Sequence, residues 1–120
     1  MNFDVEIVLR DRDYAITEQI PVPGAGERSP DEWSDNDVAE VLKEILLAMD
    51  RAKNPDSPER YVALRGFSWI VEPTGDGVVI AIEIPMGAAV AGPFAAGQAA
   101  LDGKIRRVIA AAAPHKPVVH

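Results

Sequence analysis

Two carboxylates and one carboxamide stand where this chain should carry apolar side chains. Glu18 interrupts the row Tyr14, Ile16, Ile20 and Val22. Gln98 interrupts a helical stripe that includes Leu101, Ile105 and Val108. Glu83 lies within the run Val78 to Ile84, on the opposite parity from the isoleucines. A carboxylate in an apolar pocket holds its proton to higher pH and can act as a general acid or base. Catalysis needs a second group beside it, and neither Glu18 nor Glu83 has an evident one. The expected arrangement is therefore structural. Glu18 closes the end of a sheet, Glu83 points to water, and Gln98 bonds to backbone.

The other reactive types are sparse. The only histidines, His115 and His120, follow the last predicted helix, where few partners could fix them. Ser29, Ser34 and Ser57 fall at cap or turn positions, and Ser68 falls in a strand with no base in view. There is no cysteine, which removes thiolate nucleophiles and thiolate zinc sites. Asp31, Glu32, Asp35 and Asp37 are clustered, but their spacing matches no calcium loop. Acidic residues at a helix N-terminus are accounted for by the helix dipole. Gly87, Gly92 and Gly97 match neither dinucleotide nor P-loop spacing. No catalytic residue, metal ligand set or cofactor is assigned on these grounds.

Composition narrows the partners. A chain of 120 residues makes one domain, expected over 1–113, with 114–120 as a flexible tail. The net charge of −7 repels phosphate backbones, so no nucleic-acid partner is expected. The local group Lys104, Arg106 and Arg107 lies near a predicted helix C-terminus, where cations favour the dipole. No apolar stretch is long enough to span a bilayer, so no membrane partner is expected. The N-terminus lacks a basic segment followed by an apolar run, so the expected location is cytoplasmic.

These residues must be positioned by strands and helices, and the hydrophobic pattern sets those out. Phe3, Val5, Ile7 and Leu9 alternate with polar residues, the signature of a half-buried strand. A turn at Asp11-Arg12 would place Ile7 opposite Ile16 and Leu9 opposite Tyr14 in a first hairpin. Ser29-Pro30-Asp31-Glu32 predicts a helical turn with a capping box. Ser34 with Asp37 predicts a second start, and a helix from about Asp35 to Lys53. Its buried face is Val38, Val41, Leu42, Ile45, Met49 and Ala52.

The stretch Arg60 to Pro85 predicts a second hairpin around Pro73 to Asp76. A four-residue loop would set Val71 against Val78, Trp69 against Ile80 and Phe67 against Ile82. Met86 to Gly92 reads as a flexible link, and Pro93 as the first residue of a second helix. The expected fold is an α+β two-layer sandwich of order ββαββα. Four antiparallel strands in two hairpins carry two helices on one face.

With Phe67 and Trp69 under the helices, the back of the second hairpin carries Val62, Leu64, Ile70, Val79, Ala81 and Glu83. No remaining segment is left to cover this apolar surface. The expectation is a small acidic, non-enzymatic binding or interaction protein. Its expected partner is a second copy, as a homodimer through this face, or another protein. The alternative is a small-molecule binder or enzyme using Glu83 or Glu18 in a pocket between sheet and helix.

Overall fold

The computed structural model describes residues 2–21, 29–57 and 62–112. Alternation makes β1 (Asn2–Leu9), which buries Phe3, Val5, Ile7 and Leu9. β2 (Ala15–Pro21) pairs with it antiparallel, and Ile7 lies opposite Ile16 as the pattern predicts. The register is the predicted one, but the ladder ends at Val8 and Ala15, one pair short of Leu9 and Tyr14, so the connection is longer than Asp11-Arg12.

Both predicted helix starts are present. Pro30–Glu32 forms a single 3-10 turn after Ser29. Helix α1 (Asp35–Lys53) begins at an N-cap Ser34, whose hydroxyl accepts the Asp37 amide at 3.1 Å. The Asp37 carboxylate returns the bond by accepting the Ser34 amide at 3.0 Å, so two orphan donors are satisfied together. The helix ends before Asn54, which precedes Pro55. A proline disfavours helical backbone at the residue before it.

The chain continues through β3 (Ser68–Thr74), β4 (Gly77–Ile84), β5 (Gly87–Phe94) and α2 (Gln98–Ala112). The sheet therefore has five antiparallel strands, in the order β2-β1-β5-β4-β3, and the element order is ββαβββα. This corrects the four-stranded expectation. The additional strand is β5, which the pattern reads as a flexible link and a helix start at Pro93. Its inward residues Ala89 and Ala91 are fully buried, and α1 lies against this strand and β1. A helix close to a sheet leaves room only for short side chains, and short side chains give no strong alternation of hydrophobicity. Gly87 is held close to the neighbouring strand: a Cβ built there would meet the Val8 carbonyl oxygen of β1 at 2.3 Å.

The second hairpin is real, but its register slides by two residues. Val71 lies opposite Ile80 and Trp69 opposite Ile82, across the two-residue connection Gly75-Asp76. A slip of two keeps every side chain on its own face. Val71, Ile80 and Ile82 remain buried beneath the helical layer, and Trp69 packs against the same core. Pro73 joins β3 instead of the loop, opposite Val78. Phe67 precedes the strand and is half-buried.

The residues before β3 also depart from expectation. Residues 62–67 form no strand, and Gly66 adopts φ +79°. The parity of β3 therefore does not extend back to Val62 and Leu64. Leu64 is a core residue, 7% exposed, and Val62 packs against the same core. Tyr61, both histidines and the segment 114–120 lie outside the described residues.

Candidate functional site

All three polar exceptions of the sequence have partners or solvent, and none is enclosed. Glu18 lies on the inner parity of β2, opposite Val5, and α1 brings Arg51 to it. Arg51 Nε donates to Glu18 Oε1 at 2.8 Å, and a second guanidinium nitrogen donates to the same oxygen. This ion pair ties the edge strand to the last turns of α1. Gln98 opens α2, and its amide donates to the Val71 carbonyl at 2.9 Å. Glu83 is exposed on the outer parity of β4, directly opposite Ser68. No hydrogen bond joins Ser68 and Glu83 among the described residues. An open cleft of about 440 Å³ is lined by Arg10, Phe67, Ser68 and Glu83, but it encloses no carboxylate.

The acidic cluster is spent on architecture. Asp31 accepts the Gly97 amide at 3.1 Å, just before α2, while its backbone oxygen accepts Lys104 Nζ at 2.8 Å. Asp35 receives both arms of Arg107 at 3.0 Å. Glu32 accepts the Ser29 hydroxyl at 3.1 Å, and Asp37, 6% exposed, is held in its capping box. Among the described residues, no group of three or more His, Asp or Glu side chains is placed to hold a metal ion. Arg106 pairs with Asp102 at 2.7 Å and lies 5.6 Å from the Trp69 ring centroid. The three basic residues thus sit in the middle of α2, not near its C-terminus, and join it to the chain beneath.

Arg107 holds the Asp35 carboxyl below its ordinary value, chiefly through the side-chain hydrogen bond and then through charge. A carboxyl depressed by folding contributes stability while ionised, and loses it as pH falls through the folded value. Asp35→Asn should therefore melt slightly lower than wild type near about pH 6, with the gap narrowing toward about pH 3. Melting curves across that range check this. A gap that widens in acid would show that Asp35 does not act through its charge.

The feature with no internal partner is the outer face of the sheet. Val8, Ile70 and Val90 are 47%, 50% and 43% exposed. The registers place them together. Val8 is opposite Ala88, Val90 is opposite Ala81, and Ala81 is opposite Ile70. Val79 lies one step further along β4 on the same parity. A shallow depression of about 310 Å³ includes Ser68, Ile70, Ala81, Glu83, Ala88 and Val90. Of the residues expected on this surface, Ile70, Val79, Ala81 and Glu83 are there, while Val62 and Leu64 are not. Sequence reasoning missed Val8, Ala88 and Val90. The alternation of β1 placed Val8 outward, but only the β5 pairing brings it beside the others.

Among the described residues, no helix is long and apolar enough to cross a membrane. Comparison with protein-family models, curated proteins and solved structures finds no match to this chain.

Proposed function

We propose that this is a non-enzymatic interaction protein that docks a protein partner on the outer face of its sheet. The observation that carries the reading is the contiguous apolar strip Val8, Ala88, Val90, Ala81 and Ile70, left bare across four neighbouring strands. Monomers seldom leave such patches uncovered without a use for them.

The sheet edges are less inviting. Pro73 lacks an N–H on edge strand β3, and Gln98 already occupies the Val71 carbonyl. Pro21 ends the other edge. Such devices discourage strand addition, which leaves the face as the open surface. The enzymatic alternative lacks an enclosed carboxylate, since Glu18 is ion-paired and Glu83 is exposed.

A second copy of the chain is the other reading. The face measures on the order of 600 Å² from strand length and spacing. Two such faces would bury about 1,200 Å², the lower end of stable interfaces. Val90 lies on the middle strand, so a two-fold axis passing there would stack the centre of the strip on its own copy.

Nile red, a neutral apolar dye, tests the face itself. It should brighten on the native protein and stay dark on the Ile70→Lys/Val90→Lys double variant, whose unfolding should be unchanged. A native protein that leaves the dye dark overturns the reading, as does an unfolded double variant. Light scattering separates the occupants: twice the chain mass of 12.9 kDa at micromolar concentration would support a second copy.

A further inference from the structure

The charges around the strip select its occupant. Asp4 and Glu6 lie on one flank, on the outer parity of β1. Glu6 is opposite Val90 and Thr17, so it borders the strip directly. Glu83 lies on the other flank, opposite Ala88 and Ser68, and Glu72 is opposite Val79. All four carboxylates are exposed. Among the described residues none of them is in an ion pair. Arg10 lines an open cleft with Glu83 at the corner of this face.

Among the described residues, several other cations are engaged elsewhere. Arg51 holds Glu18, Lys53 holds Asp11, Arg107 holds Asp35, and Lys104 holds the backbone of Asp31. None of them reaches the outer face.

Two copies stacked through this face would bring together eight carboxylates and two guanidinium groups. With a two-fold axis across the strands, Glu6 would meet its own copy. With the axis along β5, Glu6 and Asp4 would be pressed onto Ala81 and Val79. Each arrangement strips water from carboxylates without supplying partners, and that cost opposes the apolar gain. Anionic lipid surfaces and nucleic acids are repelled for the same reason.

We infer that the occupant is an amphipathic helical segment of another protein, with an apolar stripe flanked by lysine or arginine. The inference rests on reading the outer face as the docking surface. The strip crosses four strands, a span of about 14 Å from strand spacing. A helix covers that distance in roughly ten residues. Cations on one side of such a helix would reach Asp4 and Glu6, and cations on the other would reach Glu83.

Three synthetic helical peptides test it, titrated into ¹⁵N-labelled protein by NMR and calorimetry. One carries a leucine stripe flanked by lysines, the second the same stripe flanked by glutamates, and the third the lysines with serine in place of leucine. The first should bind and shift amides around Val90, Ala81 and Ile70, and the other two should bind at least about ten-fold more weakly, as loss of several flanking pairs allows. Combining Glu6→Gln with Glu83→Gln should weaken the first peptide by about ten-fold. Equal binding of the glutamate peptide, equal binding to the neutralised variant, or shifts confined to the helical side would overturn the inference. So would a stable dimer that the lysine peptide fails to dissociate, since the occupant would then be a second copy. Nile red binding that survives any of these failures leaves the outer face standing as an apolar docking surface. Loss of the dye signal removes both.

Discussion

Phe94→Ala should destabilise the protein by about 3–5 kcal/mol. Phe94 is 3% exposed at the end of β5. Its ring lies 5.3 Å from that of Phe3 and 5.2 Å from that of Trp33, the latter edge-on. Three elements meet there: the first strand, the turn before α1 and the strand leading to α2. Truncation would leave a cavity between side chains held by different parts of the chain, so the site cannot collapse easily. It would also remove two aromatic contacts of favourable geometry. Urea unfolding measures the loss. A change of less than about 1 kcal/mol would mean that the three elements do not share a core at this point.

Leu64→Lys and Ile70→Lys should part company sharply. Leu64 is buried, and Ile70 is half exposed on the outer face. Replacing Leu64 removes apolar burial worth about 2–5 kcal/mol and places an ammonium against the core. The Ile70 substitution puts the same charge in water, where the expected change is within about 0.5 kcal/mol. Chemical unfolding of the two variants side by side decides which residues belong to the outer face. Equal losses would mean that β3 buries both of its faces.

Much of this molecule can be read from its residues one at a time. Ser34 with Asp37, and Ser29 with Glu32, mark their helix starts because a cap is chemistry between neighbours three residues apart. The helix Asp35–Lys53 follows from its period and from Asn54-Pro55. The alternation of β1 follows from the two-residue period of a strand. Even the faces of β3 and β4 are legible, because parity survives a two-residue slip.

The candidate surface is legible only in part. Ile70, Val79, Ala81 and Glu83 are placed outward by parity alone. Leu64 and Val62 are misplaced by the same rule, because Gly66 ends the extended path that parity assumes. Glu18 and Gln98 stand out as polar residues in apolar rows, but nothing local says that Arg51 and the Val71 carbonyl await them.

The sequence by itself determined helix α1, the inward and outward faces of β1, β3 and β4, and the acidic balance, since each depends on residues close together in the chain. Only the tertiary structure decided β5. Its inner residues are alanines and glycine because α1 and β1 press against it, and that pressure comes from elements more than thirty residues away. Inserting β5 between β1 and β4 joins the two hairpins into one sheet and sets Val8 beside Ala88, and Val90 beside Ala81. The bare strip and its carboxylate flanks exist because of that pairing, and strand pairing across such distances is settled by packing, not by local pattern.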